Sequence, residues 1–197
     1  PPTNPMTEQT LPILISQKSI RARVAEMARA VEEDLGPPRE DGAPPRMVVV
    51  LKGAFFFAAD LAREIRRDLS IDFIHADSYG GSTESSGRVL ISKDLNHDIA
   101  GVDVLLVEDI VDTGRTVRTL CDRLRRREPR SLRVATLLSK PSRRVEQVEL
   151  SYTGFEIPDC FVVGYGLDHA GRYRNLADIR VLEPSGAGDP VQPQRSG

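Results

Sequence analysis

Residues 102–117, VDVLLVEDIVDTGRTV, decide the fold of this chain. The stretch opens with a short, mostly apolar and β-branched run, residues 102–107, which is typical of a buried strand in a parallel sheet. Two adjacent acids follow, and a third acid then opens a tight turn at Gly114. Apolar residues recur after the turn at helical spacing, as Val117, Leu120, Cys121 and Leu124. A strand, a tight turn and a helix in this order present free backbone N–H groups to an anion.

The acids of this stretch indicate what else the ligand carries. Glu108, Asp109 and Asp112 would repel a bare phosphate, so we expect a ligand that adds hydroxyl groups, a metal ion or a developing positive charge. A ribose 5-phosphate combines hydroxyls and a phosphate in one molecule. Judged from the residues alone, Asp112 also suits the cap of the following helix, and the two roles are compatible.

Length and composition favour a single domain. The 197 residues are enough for one α/β domain with its own core. A formal net charge of −2 gives no general reason to bind nucleic acid, and no apolar run reaches membrane-spanning length. Two cysteines, Cys121 and Cys160, predict reduced thiols in a soluble, cytoplasmic protein. We expect a loose leader over residues 1–10, one domain over residues 11–183 and a disordered tail over residues 184–197.

Strand-like and helix-like patterns alternate along the chain, which predicts a mostly parallel, twisted sheet flanked by helices on both faces. The predicted helices span residues 20–35, 54–69 and 114–127, the first with Ser16 or Ser19 near its start, and the predicted strands span residues 47–51, 71–76, 102–107, 132–138 and 160–163. Ligands of such sheets bind beyond the carboxyl ends of the strands. We expect five polar residues to converge at that edge: Lys52, Asp77, Glu108, Lys140 and Asp168.

Residues 107–114, VEDIVDTG, resemble the phosphoribosyl-diphosphate signature of the type I phosphoribosyltransferases. Other segments agree with that family in the same order: LKG (51–53), DSY (77–79), LLSK (137–140), GFEIPD (154–159), FVVGY (161–165), LD (167–168) and YRNL (173–176). The similarity covers residues 10–183, and segments 154–159 and 161–165 favour the 6-oxopurine branch. Cys160 departs from the better-known relatives, in which a lysine is common at this position.

The resemblance implies a fold and an activity. The fold would be a single α/β domain of the type I phosphoribosyltransferase fold, with a small hood and a flexible active-site loop. The activity would be purine salvage with Mg²⁺, in which 5-phosphoribosyl 1-diphosphate and hypoxanthine or guanine give the nucleoside monophosphate and pyrophosphate. The protein would form a homodimer or homotetramer. A xanthine-preferring relative, or a nucleotide-sensing RNA-binding attenuator on the same fold, remain alternatives.

For the phosphoribosyl group, the resemblance implies two sets of contacts. Glu108 and Asp109 would accept hydrogen bonds from the ribose hydroxyls, because ionised carboxylates only accept. The loop formed by Asp112, Thr113, Gly114, Arg115 and Thr116 would hold the 5-phosphate. Asp112 would in addition act as the general acid/base at N7 of the purine.

For the base and the pyrophosphate, the resemblance implies further residues. Lys140 would donate to the 6-oxo group, Phe161 would stack on the base, and Val162 would meet the edge of the base through its backbone; a plain core position for Phe161 stays open. Asp168 is placed beside the purine and, with Glu108 and Asp109, on Mg²⁺. The remaining residues are Lys52, Gly53 and Arg174 for pyrophosphate, where a cis peptide occurs in the family, and Ser78 and Tyr79 for a lid over the reaction centre.

Overall fold

A six-stranded sheet in the order β4-β3-β2-β5-β6-β7 organises the chain, whose structure is a computed structural model. It describes residues 11–36, 42–78 and 89–182, so the predicted leader, the loop beyond Ser78 and the predicted tail lie outside the described residues. The elements are β1 (Ile13–Ile15), α1 (Gln17–Asp34), β2 (Arg46–Leu51), α2 (Phe55–Glu64), β3 (Ser70–Ser78), β4 (Val89–Lys93), β5 (Asp103–Val111), α3 (Arg115–Arg125), β6 (Ser131–Ser139), a 3₁₀ turn (Pro141–Arg143), β7 (Tyr152–Glu156), β8 (Val162–Val163) and β9 (Ile179–Val181). Within the sheet only β4 runs antiparallel to its neighbour, which confirms the predicted mostly parallel sheet.

Helices cover both faces of the sheet, as predicted. Successive side chains of a strand point to opposite faces, so β2 serves two cores. Met47 and Val49 pack with α1 and α2, whereas Val48 and Val50 pack with α3 through Leu120. Because both faces are buried, β2 and residues 104–107 of β5 are almost continuously apolar and could be recognised from the sequence.

The largest errors in the predicted boundaries lie at the ends of α2 and β5, and tertiary contacts explain both. The helix predicted over residues 54–69 ends at Glu64, because Ile65 turns into an extended, buried conformation. The strand predicted over residues 102–107 continues to Val111, because the acidic segment pairs with β6. Glu108 and Asp109 therefore lie inside a strand and not after it.

A second, three-stranded antiparallel sheet in the order β1-β9-β8 joins the two ends of the described chain. It corresponds to the predicted hood. Its strands have two or three residues each, too short for a recognisable alternation, and the strand predicted over residues 160–163 is reduced to Val162–Val163. The start of α1 is as predicted, since Ser16 Oγ accepts a hydrogen bond from Ser19 N at 3.2 Å. Within the described ranges no helix is long and apolar enough to cross a membrane.

Asp72 is a buried acid that fixes the turn before β5. Its carboxylate accepts hydrogen bonds from Phe73 N and Asn96 N, each at 2.8 Å, and from His97 N at 3.3 Å. Burial by itself would raise the pKa of Asp72, but these hydrogen bonds outweigh burial and lower the pKa below its ordinary value of 3.8. The charged form is thus the one that the fold prefers.

We expect Asp72→Asn to lower the free energy of unfolding by about 1–3 kcal/mol, the usual cost of leaving buried hydrogen-bonding groups unsatisfied. Since the folded-state pKa of Asp72 lies below 3.8, its stabilisation is complete above that pH and is lost as pH falls through the folded-state pKa. Urea unfolding at pH 7 and near pH 3 measures both effects. Glu26→Gln, at an exposed ion pair with Arg23, is the control and should change little. Equal stability of Asp72→Asn and wild type at pH 7 would contradict this role.

Candidate active site

Contacts with residues 145–146 hold the turn after β5 in place. Gly114 has φ +86°, and a Cβ atom there would lie 2.7 Å from the carbonyl oxygen of Glu146. Val145 N and Glu146 N both donate to Thr113 O, at 3.0 and 2.9 Å. Gly114, the N-cap of α3, offers no side-chain acceptor, and Arg115 N has only a long contact to Thr113 Oγ1 at 3.5 Å, so N–H groups of the first helical turn remain available to a ligand. A phosphate is a suitable occupant of such a position.

The side chains of that turn differ in exposure. The Arg115 side chain is exposed, whereas the side chains of Asp112, Thr113 and Thr116 are half-buried. Arg144 lies against the turn, since its Cδ would be 3.2 Å from a Cβ atom on Gly114, and its Nη2 donates to Ser139 Oγ at 2.8 Å.

Glu108 and Asp109 form a buried acid pair. Glu108 is only 8% exposed, and its Oε2 has no hydrogen-bond partner among the described residues. Burial, and next to it the neighbouring charge of Asp109, raise the pKa of Glu108 well above its ordinary value. Burial also raises the pKa of Asp109. Ligand groups that donate hydrogen bonds or carry positive charge would satisfy this pair.

The segment Lys52–Gly53 lies directly against these acids. The Leu51–Lys52 peptide bond is cis, and a Cβ atom on Gly53 would collide with the carboxylate of Asp109. A Cβ atom on Gly166 would in turn collide with the carbonyl oxygen of Gly53. The Gly53 segment is therefore packed closely between β5 and the Gly166 segment, while the Lys52 side chain is exposed.

Asp168 and Arg174, predicted for Mg²⁺ and pyrophosphate, form an ion pair. Arg174 Nη2 lies 2.6 Å from Asp168 Oδ1, and Arg174 Nη1 donates to Gly166 O at 2.6 Å. Gly171 N donates to Asp168 Oδ2 at 2.7 Å. The charge of Arg174 also reaches Asp109, where it opposes the rise in pKa caused by burial.

The predicted metal ligands do not assemble into one cage. Among residues 11–36, 42–78 and 89–182 there is no group of three or more His, Cys, Asp or Glu side chains arranged to hold a metal ion. Mg²⁺ commonly uses one or two carboxylates and fills its remaining positions with water and substrate oxygens. The partly exposed Asp168 carboxylate, which is held by Arg174 and Gly171 N, and the unpartnered Oε2 of Glu108 are oxygen ligands of the kind that such a site uses.

The residues predicted for the base lie at the ends of β6 and β8. Lys140 follows β6 directly, is only 7% exposed, and places Nζ 3.7 Å from Asp159 Oδ1. Phe161 is 50% exposed, so it is not a core residue, and its ring meets His169 edge-on at 5.4 Å between centroids. Val162 is buried in β8. A half-exposed aromatic ring is suited to stacking on a planar ligand, and a buried ammonium group is suited to donating to a polar atom of that ligand.

Sequence reasoning missed two charged residues of this site. Arg143 Nε donates to Asp112 Oδ1 at 3.1 Å, and Arg143 Nη1 donates to Asp159 Oδ2 at 3.4 Å. The hydrogen bond to Asp112 raises the pKa of Arg143. Asp159 stands in the quoted GFEIPD segment, and Arg143 stands three residues after Lys140, but neither position in the sequence indicates a link to Asp112.

The lid residues stay a prediction, since the Ser78 side chain and Tyr79 are outside what the structure describes.

Comparison with known proteins places this arrangement in a family. Residues 16–170 match the phosphoribosyl transferase domain family. A hypoxanthine-guanine phosphoribosyltransferase of Mycobacterium avium is 48% identical over 173 residues, which cover 87% of this chain and 85% of that protein. A hypoxanthine phosphoribosyltransferase of Escherichia coli K12 is 45% identical over 172 residues, which cover 87% of this chain and 95% of that protein.

Solved structures agree with these relatives. The crystal structure of a hypoxanthine phosphoribosyltransferase from Staphylococcus aureus matches with a TM-score of 0.84 at 40% identity, covering 95% of this chain and 100% of that chain. A hypoxanthine-guanine phosphoribosyltransferase from Bacillus anthracis matches with a TM-score of 0.79 at 44% identity, covering 87% and 98%. The fold is thus that of a known group: the chain belongs to the phosphoribosyltransferase family, in the branch of the hypoxanthine and hypoxanthine-guanine phosphoribosyltransferases.

Proposed function

We propose that this protein is a purine-salvage enzyme that transfers the 5-phosphoribosyl group of 5-phosphoribosyl 1-diphosphate to hypoxanthine or guanine, giving IMP or GMP and pyrophosphate. One observation carries the proposal beyond family membership. Asp112, which can take a proton, and Lys140, which can donate to an oxo group, are linked across the site through Arg143 and Asp159. A 6-oxopurine has an N–H and a carbonyl oxygen on one edge and so matches this pair of groups.

The phosphoribosyl group is held by β5 and the turn that follows it. The backbone N–H groups of residues 113–116 and the hydroxyls of Thr113 and Thr116 bind the 5-phosphate, with the Arg115 side chain in solvent. Glu108 and Asp109 accept hydrogen bonds from the ribose hydroxyls, which supplies the partner that Glu108 Oε2 lacks among the described residues. Their negative charge also stabilises the positive charge that develops on the ribose ring in the transition state.

The base is held between β6 and β8. Phe161 stacks on the ring, Lys140 donates to the 6-oxo oxygen, the Val162 backbone meets the edge of the base, and Asp168 lies beside it. Asp112 removes the N7 proton as N9 attacks C1 of the ribose, a role typically worth about 10²–10⁴ in rate. Adenine carries an amino group in place of the oxo group, which Lys140 would meet with like polarity.

Pyrophosphate departs along the wall formed by Lys52, Gly53 and Arg174, whose cations offset its charge. Asp168, with Glu108 and Asp109, would hold Mg²⁺, and the ion would neutralise the diphosphate oxygens. Ser78 and Tyr79 belong to a lid that keeps water from the reacting centre. The enzyme acts in the cytoplasm on small molecules, as a homodimer or homotetramer.

The alternatives make different predictions. A xanthine-preferring enzyme would use the same Lys140 contact, so only the relative rates separate it from the proposal. A nucleotide-sensing RNA-binding attenuator would bind RNA in a strongly salt-dependent manner. The relatives described above are named as hypoxanthine or hypoxanthine-guanine phosphoribosyltransferases, which favours the proposed reaction over both.

A panel of bases tests the function. Purified protein is given 5-phosphoribosyl 1-diphosphate and Mg²⁺ with hypoxanthine, guanine, xanthine, adenine or uracil, and pyrophosphate release and the nucleotide product are measured. We expect turnover with hypoxanthine or guanine, little with adenine and none with uracil. Folded protein that turns over none of these bases would refute the proposal, and faster turnover with xanthine than with the other bases would replace its substrate.

A further inference from the structure

Four charged side chains form a continuous chain across the candidate base site. Asp112 Oδ1 accepts from Arg143 Nε at 3.1 Å, Arg143 Nη1 donates to Asp159 Oδ2 at 3.4 Å, and Asp159 Oδ1 lies 3.7 Å from Lys140 Nζ. The outer members follow different elements, since Asp112 comes directly after β5 and Lys140 comes directly after β6. The inner members, Arg143 and Asp159, link the outer two but are given no contact with substrate in the function proposed above.

In each of the two carboxylates, Asp112 and Asp159, the two oxygens have different surroundings. Asp159 gives Oδ1 to Lys140 and Oδ2 to Arg143, so it keeps the two cations apart and fixed relative to each other. Asp112 uses Oδ1 for Arg143, and its Oδ2 accepts no hydrogen bond from any residue that the structure describes. The guanidinium of Arg144 donates through Nη2 to Ser139 Oγ and forms no hydrogen bond with Asp112 among the described residues. One oxygen of Asp112 is therefore anchored while the other is left for a ligand.

We infer that Arg143 and Asp159 are positioning residues that set the distance between Asp112 and Lys140, so that the two groups together read N7 and O6 of a 6-oxopurine. This inference rests on the proposed function. In a guanine or hypoxanthine ring, N7 and O6 lie on one edge, whereas adenine presents an amino group beside N7 on that edge. Arg143 orients the carboxylate that takes the N7 proton, and Asp159 aims the ammonium that donates to O6. Discrimination between oxo- and aminopurines then depends on the geometry of all four residues.

Three of the four linked side chains are exposed enough to be replaced without unfolding the protein. The Arg143, Asp112 and Asp159 side chains are 48%, 38% and 51% exposed. Ion pairs of this kind contribute little to folding stability. A matched control exists in α3, where Arg118 Nε lies 3.1 Å from Asp122 Oδ2, with 52% and 43% of the two side chains exposed. Arg118→Gln removes the same kind of pair and should leave turnover unchanged.

A double-mutant cycle tests the inference with the full-length chain. Asp112→Asn, Arg143→Gln and the double variant are compared with wild type for kcat and for KM of hypoxanthine and of 5-phosphoribosyl 1-diphosphate. We expect Arg143→Gln to lower kcat roughly tenfold to a hundredfold, because misplacing a reacting group by about 1 Å costs about 10²-fold. In the Asp112→Asn background the same change should have almost no further effect, since Arg143 acts through that carboxylate. KM for 5-phosphoribosyl 1-diphosphate should stay close to that of wild type, and Arg143→Lys should recover part of the lost kcat.

The Asp159–Lys140 pair is tested by a separate variant with a different kinetic effect. Asp159→Asn should raise KM for hypoxanthine and narrow the ratio of hypoxanthine to adenine turnover, because Lys140 loses its anchor. Additive effects of Arg143→Gln and Asp112→Asn would overturn the inference and leave the proposed function intact. Wild-type kcat in Asp112→Asn would also overturn it, since no carboxylate would then need positioning. Absence of any phosphoribosyl transfer by the wild-type protein would overturn both the inference and the proposed function.

Discussion

Replacing Asp112 by asparagine will lower kcat for phosphoribosyl transfer by roughly 10²–10⁴-fold, the usual contribution of a general acid/base. An amide cannot take the N7 proton of the base at neutral pH. The change preserves size and shape, and an asparagine Oδ1 can still accept from Arg143 Nε, as the carboxylate does at 3.1 Å. Asp112 does not cap α3, whose N-cap is Gly114, so the start of that helix should remain folded in the variant.

Binding and turnover must therefore separate in this variant. We expect the dissociation constant for 5-phosphoribosyl 1-diphosphate, measured by calorimetry, to be close to that of wild type, while kcat falls. Asp122→Asn is the matched control, because Asp122 carries an exposed ion pair with Arg118 at the same distance of 3.1 Å. Unchanged turnover in Asp112→Asn would remove Asp112 from the mechanism.

The second large effect is expected from Gly53→Ala. A methyl group at this position would occupy the place of the Asp109 carboxylate, so either the loop or the acid must move. The same loop supports Gly166, whose Cα faces the carbonyl oxygen of Gly53, and Gly166 in turn accepts the Arg174 hydrogen bond. One methyl group thus disturbs the proposed ribose contact and both sides of the proposed pyrophosphate site. We expect kcat/KM for 5-phosphoribosyl 1-diphosphate to fall by about 10²-fold or more, since displacements of about 1 Å cost that much.

Gly36→Ala is the control for this variant. A Cβ atom on Gly36 would lie 3.8 Å from Arg130 Nη2, which is an ordinary van der Waals contact. Steady-state kinetics of both variants measure kcat/KM for 5-phosphoribosyl 1-diphosphate, and circular dichroism checks that both are folded. A Gly53→Ala protein with the kinetics of wild type would show that the loop and Asp109 do not need this close approach.

The sequence was informative wherever a pattern is local. The apolar start of β5, the turn at Gly114 and the amphipathic α3 could be recognised because burial of one segment on both faces, or of one helical stripe, leaves a periodic trace. The continuation of β5 through Glu108 and Asp109 could not, because two acids argue against a strand and only pairing with β6 extends it. The end of α2 at Glu64 likewise depends on a tertiary contact, because the Ile65 side chain packs into the core in an extended backbone conformation.

The same distinction applies to the site. The roles proposed for Asp112 and Lys140 came from the family signature, and the structure puts both residues at strand ends that face one site. Arg143 was missed because its partner, Asp112, is 31 residues away in the sequence, and an exposed arginine in a polar turn is ordinary. Side-chain pairs between distant loops leave no periodic trace, so only coordinates bring them together.

The most direct test of the account is the structure of the protein in complex with IMP. We expect the 5-phosphate at the N–H groups of residues 113–116, the ribose hydroxyls on Glu108 and Asp109, and the base on Phe161. N7 should lie within hydrogen-bond distance of Asp112 Oδ2, and O6 should lie within the same distance of Lys140 Nζ, with Arg143 still on Asp112 Oδ1. A nucleotide bound elsewhere, or bound here with its 6-oxo edge turned to solvent, would contradict the account.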